Sequence, residues 1–304
     1  MTVNRDEVCV LIPALNEEPT IGPLIDQLKT RGFFDILVVD GRSTDKTRSI
    51  AKEKGARIYV QEGRGKGAAL IEVITSPDLI QKPYVLMLDG DGTNAPDDDI
   101  IMLTPLFAGA DQVIGNRLIE KNAGVFHTLN LYGNKILNHM FKVTHGEYLY
   151  DILSGYRAFR TTAMKQMHLT EQGFGIETEL AAEAVRRGNN IAVVPVSYGE
   201  RVGTATKLNP LSDGVKIGLT MIKLSRMNNP LIYFGMIGFI PIVIGFFFSL
   251  YIIFDWFRGI EHVPLMIAST LLIILGTQLM MMALFADLFL SYHREVLLEI
   301  RRKL

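Results

Sequence analysis

YVLMLDGDGT, residues 84–93, is an apolar run without polar alternation that stops on Asp89 and Asp91, two acids with one residue between them. A strand exposed on one face alternates apolar and polar side chains, whereas a continuous apolar run suits a strand covered on both faces, as in a parallel sheet flanked by helices. ILVVD at 36–40 has the same character and ends on Asp40. In an open α/β sheet, ligands collect just beyond the carboxyl ends of the strands, so acids at those ends are placed to meet a ligand or a metal. Working outward, residues 7–13 and 56–60 are further short runs rich in Val, Ile, Leu and Tyr, and IAVVPV at 191–196 reads as a last strand. Helix-compatible stretches separate the first three runs. The alternation predicts βαβ units and a largely parallel sheet, hence an α/β fold.

The chain has 304 residues, room for one domain of roughly 200 to 230 residues plus a smaller part. Its apolar fraction is 48% and its mean hydropathy +0.23, with the excess in the last quarter. Lys and Arg number 31 against 32 Asp and Glu, so no global basic field exists and a nucleic-acid partner is disfavoured. The single Cys9, inside VCVLIP, excludes an internal disulfide and most cysteine metal sites, and reads as a core residue. The N-terminus passes directly into a strand-like run without a basic segment and apolar signal core, so the first domain is expected in the cytoplasm.

Residues 209–227 read as an amphipathic helix, with Leu211, Val215, Leu219 and Ile222 on one stripe and Ser212, Lys216, Thr220 and Lys223 on another. Such a helix suits a bilayer surface, lysines toward the head groups. Leu231 to Phe254 and Val263 to Ala286 contain no charged residue, and each is long enough to cross a hydrocarbon core of roughly 30 Å. The expected organisation is a domain over 1–208, an interfacial helix over 209–227, transmembrane helices over 231–254 and 263–290, and a tail over 291–304. The link DWFRGIEHV holds two acids and one Arg, while the flanks hold Lys216, Lys223, Arg226, Arg294, Arg301, Arg302 and Lys303. The positive-inside bias puts both flanks and the first domain at the cytoplasmic face of a cell membrane.

Asp89 and Asp91 can hold a hard divalent cation, Mg²⁺ or Mn²⁺, that bridges the phosphates of a nucleoside diphosphate; the alternative is an Asx-type turn after a strand. An EF-hand is excluded, because its fifth and sixth loop positions fall on Thr93 and Asn94. EGRGKGAAL at 62–70 offers close backbone approach at Gly63, Gly65 and Gly67 beside Arg64 and Lys66, suited either to a diphosphate at a helix start or to a plain flexible loop. It is not a Walker loop, since Val60 stands where that pattern needs Gly and Gly67 where it needs Ser or Thr. His139, His145, His168 and His262 lack metal-ligand spacing and read as surface or structural. Glu177 and Glu179 are two apart, so both cannot face one helix side; at least one is expected in solvent, and Glu177 is the site candidate.

IPALNEE (12–18), VVDGRSTDKT (38–47), GRGKGAAL (63–70), LDGDGT (88–93), VIGNR (113–117), DILSGYR (151–157) and VPVSYGERVGTATKL (194–208), in that order, resemble family-2 glycosyltransferases of the GT-A fold, a Rossmann-like and mostly parallel sheet. More closely they resemble polyprenyl- and dolichyl-phosphate glycosyltransferases, and within them the archaeal dolichyl-phosphate hexose synthases of N-glycan assembly. The resemblance implies inverting transfer of a sugar from a nucleotide-sugar, UDP-glucose or UDP-N-acetylglucosamine, to dolichyl or polyprenyl phosphate. A GDP-mannose-dependent dolichyl-phosphate mannose synthase and a non-catalytic nucleotide-sugar-binding anchor are the alternatives, and a homo-oligomer is left open.

Carried over residue by residue, the resemblance places Pro13, Ala14, Asn16, Glu17, Asp40, Lys66, Gly67, Asp89, Gly90 and Asp91 at the donor, with Asp89 and Asp91 on the metal. It places Arg117, Asn134, Ser154, Glu177, Arg201 and Lys207 at the acceptor, and Asp89, Asp91, Arg117, Asp151 and Arg157 in the catalytic set. Pairing of Arg117 with Asp151 to hold the fold is the alternative for that arginine. The chain departs from the family in reading Asp40-Gly41-Arg42-Ser43 for Asp-Asp-Gly-Ser, Thr93 where several relatives have Gln, and His127 near the place of a second arginine.

Overall fold

The computed structural model describes residues 3–119, 122, 128–173, 175–201 and 210–303. It divides into two compact units, residues 1–221 and 222–304, with the division inside one helix.

The first unit is built on seven strands: β1 (Val8–Ala14), β2 (Ile36–Asp40), β3 (Arg57–Val60), β4 (Tyr84–Met87), β5 (Gln112–Asn116), β6 (Arg157–Arg160) and β7 (Ile191–Pro195). Their order across the sheet is β3-β2-β1-β4-β6-β5-β7. β1 pairs in parallel with β2 on one side and β4 on the other, with Leu11 beside both Leu37 and Met87. β6 runs antiparallel between β4 and β5, and all the other pairings are parallel. The helices are α1 (Glu18–Thr30), α2 (Thr47–Glu53), α3 (Lys66–Thr75), α4 (Asp99–Phe107), α5 (Thr128–His145), α6 (Thr161–Lys165), α7 (Ile176–Arg186) and α8 (Pro210–Asn228).

Burial explains why the strand runs lack alternation. Val8, Val10 and Ile12 turn to one face, packing with Ile21, Leu24, Ile25 and Leu28 of α1 and with Met102, Leu103 and Leu106 of α4. Cys9 and Leu11 turn to the other, with Leu70 and Val73 of α3 and Leu180 of α7. Each face needs its own apolar set, so successive residues are all apolar. Cys9 is a core residue as expected, and burial, with Asp35 adding to it, pushes its thiol up to about 12.

Within α8, Ile217 and Met221 are buried while Val215 and Leu219 stand exposed, with Lys216 and Lys223 also outward. The second unit contains two helices, α9 (Pro230–Trp256) and α10 (Val263–Lys303), so 291–303 continue α10. Pro230–Trp256 and Val263–Tyr292 are long and apolar enough to cross a membrane. Their backbones approach through glycines: a Cβ on Gly238 would lie 2.9 Å from the Gly276 carbonyl, and one on Gly245 would lie 2.8 Å from that of Ser269. Small residues that admit close backbone contact are the usual device for packing helices in lipid. Between the helices, Asp255 lies 2.7 Å from the His262 ring.

Candidate active site

The carboxyl ends of β1, β2 and β4 open into a cavity of ≈ 300 Å³, where the two aspartate-ended runs predicted a ligand. Its wall includes Pro13, Ala14, Glu17, Lys66, Asp89, Gly90, Asp91, Arg117, Glu177 and Arg201. Those are ten of the residues expected to meet donor, acceptor or metal.

β1 delivers Pro13 and Ala14, and the chain then turns through Asn16 at φ +51. That left-handed backbone is held by side chains: the Asn16 backbone amide donates to Ser43 Oγ at 2.9 Å, and the Asn16 side-chain Oδ1 accepts from Thr44 N at 2.8 Å. At the end of β2, Asp40 is fully buried, with its carboxylate accepting from the Ser43 amide at 3.0 Å and Arg48 3.5 Å away. Asp40 and Asn16 thus shape the loop and lie off the cavity wall, while Gly41 lies on it. Arg42, at φ +66, stands where the family pattern has Gly. Its guanidinium donates to the carbonyls of Gln61, at 3.1 Å, and Glu62, at 2.5 Å, binding the β2 loop to the glycine-rich run.

The glycines of that run serve contact within the chain. α3 begins at Lys66, and the Gly67 amide donates to the Gln172 carbonyl at 3.0 Å. A Cβ on Gly67 would collide with the Glu171 and Gln172 backbone, and one on Gly65 with the Gln172 carbonyl. Gly67 is off the wall and Gly65 on it. Lys66 Nζ contacts Asp89 Oδ1 and lies 2.7 Å from Glu177 Oε1 in the first turn of α7. Burial acts to lower the Lys66 pKa, but Asp89 and Glu177 outweigh it and raise it. Burial would push the Asp89 carboxyl up; Lys66, then Arg117 and Arg201, override this and hold it below the ordinary carboxylate range.

Asp91 Oδ1 accepts from Thr93 N at 3.1 Å and Thr93 Oγ1 at 2.6 Å, so the Asx-type turn is present and the carboxylate still lines the cavity. Its other oxygen lies 3.6 Å from Arg201, whose guanidinium also reaches Glu17 at 2.7 Å. Thr20 Oγ1 donates to the Gly90 carbonyl at 2.7 Å and ties α1 to this loop.

Arg117 follows β5 and grips Asp151 with two parallel bonds, Nε to Oδ2 at 2.8 Å and Nη2 to Oδ1 at 2.9 Å, while its amide donates to Oδ2 at 3.0 Å. Burial acts against this guanidinium's charge, and the Asp151 carboxylate more than restores it. The fold-holding pair and a place on the cavity wall therefore coexist, with the Tyr198 ring centred 5.1 Å from the guanidinium. Asp151, Ser154 and Arg157 lie fully buried beneath the wall. Arg157 donates to the Ser154 carbonyl at 2.9 Å and the Ile152 carbonyl at 2.7 Å, propping the turn that carries Asp151 and cavity-lining Leu153. Burial draws its pKa down to about 10.

Asn134, half-buried on α5, is off the wall, and Lys207 and His127 lie outside the described residues. The expectation that Glu177 or Glu179 is solvated is corrected: both are buried. They do face different ways, Glu177 to Lys66 and Glu179 to the amides of Thr170 and Glu171, at 2.9 and 2.8 Å. His145 is structural, stacked on Phe141 with ring centroids 4.3 Å apart. Wall residues that motif reasoning missed include Gln61, Tyr198 and Ile217. Gln61 directly follows β3, so the strand-end rule could have found it; nothing local marks Ile217.

Among the described residues no group of three or more His, Cys, Asp or Glu is arranged to hold a metal. A pair of carboxylates on one cavity wall nevertheless fits Mg²⁺ or Mn²⁺ chemistry, in which one or two carboxylates, substrate phosphates and waters complete the shell.

Comparison with known proteins agrees with this geometry. The model of the family described as Glycosyl transferase family 2 matches residues 9–167. The chain is 45% identical to a glycosyltransferase, AglJ, of Haloferax volcanii, over 95% of this chain and 96% of that one. It is 34% identical to a dolichyl-phosphate hexose transferase of the same organism, over 72% of this chain and 93% of the relative. Among solved structures, glucosyl-3-phosphoglycerate synthase of Mycobacterium tuberculosis, in complex with Mn²⁺ and UDP-glucose, superposes with a TM-score of 0.57 at 23% identity, over 73% of this chain and 78% of that one, a likeness of fold. A mostly parallel seven-stranded GT-A sheet, a family model that spans half the chain and a relative that matches nearly all of it lead to one statement: this chain belongs to glycosyl transferase family 2 and is a glycosyltransferase related to a dolichyl-phosphate hexose transferase.

Proposed function

We propose that the protein transfers glucose or N-acetylglucosamine from the UDP-sugar, with inversion, to dolichyl or another polyprenyl phosphate at the cytoplasmic face of a membrane. The observation that carries this reading is one cavity whose wall sets the carboxylates of Asp89 and Asp91, together with those of Glu17 and Glu177, beside three cationic side chains, Lys66, Arg117 and Arg201. Two mutually repelling phosphorylated reactants need that mixture: acids for a divalent cation, and cations for phosphate oxygens. A phosphate monoester has its second pKa near 6 and is already substantially ionised at neutral pH, so the acceptor needs no general base. An oxygen of the lipid phosphate then attacks the anomeric carbon, and the bond to the nucleoside diphosphate breaks.

Pro13, Ala14, Glu17, Gly41 and Gln61 line the donor side, with Asp40, Asn16 and Arg42 fixing the loops behind them. Asp89 and Asp91 would hold the metal, which when bound offsets the charge on the departing diphosphate. Arg117 and Arg201 are assigned to the acceptor phosphate, Arg117 held in place by Asp151. A fixed guanidinium adds no reorganisation at the moment of reaction. The two apolar helices would anchor the enzyme, and the exposed Val215 and Leu219 beside Lys216 on α8 suit contact with a lipid surface. The dolichyl-phosphate acceptor in the name of the Haloferax relative supports the acceptor assignment.

The test is transfer by the purified full-length protein to dolichyl phosphate from UDP-glucose, UDP-N-acetylglucosamine and GDP-mannose. Lipid-linked sugar from a UDP donor is expected. Product from GDP-mannose alone overturns the donor, and transfer to a hydroxyl acceptor with none to the phosphate overturns the acceptor.

A further inference from the structure

The proposed reaction counts Lys66 among the cations for phosphate oxygens but makes no use of its contacts with two acids. Its Nζ contacts Asp89 Oδ1 and lies 2.7 Å from Glu177 Oε1, so one ammonium bridges two carboxylates. The side chain is largely enclosed yet lies on the cavity wall. The fold makes room for this bridge at Gly155: a Cβ there would collide with Asp89 Oδ2 and lie 2.7 Å from Lys66 Nζ. The Asp91 side is arranged in the same manner, with Arg201 3.6 Å from Oδ2 and 2.7 Å from a second acid, Glu17. Each carboxylate of the proposed metal pair therefore shares a basic group with a neighbouring acid outside that pair.

An ammonium in contact with Asp89 Oδ1 takes up part of the carboxylate's charge and repels a divalent cation brought to either of its oxygens. Metal entry therefore favours displacement of the ammonium, and a buried ammonium set loose without a partner is costly. Glu177 removes that cost, because Lys66 already touches it and keeps one carboxylate after leaving the other. We propose that Lys66 is a built-in counter-cation for Asp89, which competes with the divalent metal and yields the carboxylate by shifting wholly onto Glu177. This rests on the reading of Asp89 and Asp91 as the metal pair. Its consequence is that the metal alone binds weakly and that a nucleoside diphosphate, whose oxygens add metal ligands, tips the exchange. The residue is then a positioning residue for metal entry, and its charge sets the order in which metal and donor bind.

The test measures Mn²⁺ affinity directly, without nucleotide, from the electron paramagnetic resonance signal of free Mn²⁺ titrated into full-length protein. Lys66→Met keeps the alkyl stem and removes the competitor, so Mn²⁺ should bind roughly tenfold more tightly or better, as expected when a like charge beside the metal's carboxylate is lost. Glu177→Gln removes the landing place, and Mn²⁺ affinity should fall. A Lys66→Met protein that melts cooperatively and binds Mn²⁺ no more tightly than the natural protein overturns the proposal, as does tighter binding in Glu177→Gln. Asp89→Asn and Asp91→Asn separate the two levels: if neither weakens Mn²⁺ binding, the metal pair itself is misassigned, whereas a loss in both with no gain in Lys66→Met removes only the counter-cation.

Discussion

Replacing Arg117 with methionine tests two roles that the structure lays on one side chain. The guanidinium makes two bonds, at 2.8 and 2.9 Å, to a carboxylate with no solvent exposure. Without it, Asp151 keeps the amide of residue 117 at 3.0 Å but loses its countercharge. Breaking one side of a buried pair costs about 3–5 kcal/mol. In a unit of this size each kcal/mol moves the melting temperature by about 2–4 °C, so Arg117→Met should melt roughly 6–20 °C lower. The double variant Arg117→Met with Asp151→Asn removes the stranded charge and leaves an oxygen for the amide, so most of the loss should return. Transfer to lipid phosphate should not return: without the guanidinium it should stay about a hundredfold down, equivalent to about 2.7 kcal/mol. Differential scanning fluorimetry and lipid-linked product formation on the same detergent-solubilised samples read both. A single variant melting within about 2 °C of the natural protein refutes the structural role. A double variant with natural transfer refutes the acceptor role.

Further outcomes are expected from the metal pair and from a buried histidine. Transfer should vanish in EDTA and return with Mg²⁺ or Mn²⁺, and Asp91→Asn should lower turnover by about a hundredfold or more; undiminished turnover in chelator would remove the metal. Burial draws His145 down to about 4 from 6.5, only partly opposed by the Phe141 carbonyl, so the unfolded chain binds the proton more readily than the folded one. The stability from keeping this ring neutral is present above pH 6.5 and is lost as pH falls toward 4, by up to roughly 3 kcal/mol. His145→Gln should flatten that slope in denaturant titrations between those pH values.

Much of this was legible in the sequence where a local pattern carries the physics. The runs at 36–39 and 85–87 are apolar throughout because strands covered on both faces bury every side chain, and the aspartates that close them stand at the strand ends where the sheet geometry puts ligands. β6 was not legible: four residues, RAFR, bounded by arginines, carry no apolar periodicity, and insertion antiparallel between β4 and β5 is decided by tertiary pairing. Asp40 illustrates a different limit. Its position at a strand end is visible, but the Ser43 amide that turns it inward depends on the loop conformation. Helix spacing alone put at least one of Glu177 and Glu179 in solvent, and the amides of Thr170 and Glu171, which draw Glu179 inside, come from a preceding loop. Tyr198 and Ile217 reach the cavity from far along the chain, a closeness that only the fold creates.

With α9 and α10 as candidate membrane spans, their glycine seam bears on how they would meet other chains in a bilayer. Gly238, Gly245 and Gly276 are spent on contact between the two helices of one molecule. What they turn outward is bulky: Phe239, Phe246, Phe247, Leu271, Phe285 and Phe289 are exposed. A surface of large, smooth hydrocarbon side chains is matched by acyl chains as well as by another protein, whereas the close approaches of Gly238, Gly245 and Gly276 are made inside the hairpin. As membrane spans the two helices would form a closed pair whose rim suits solvation by lipid. Grafted onto an unrelated soluble domain, the hairpin should carry that domain to a bilayer as a single mobile passenger.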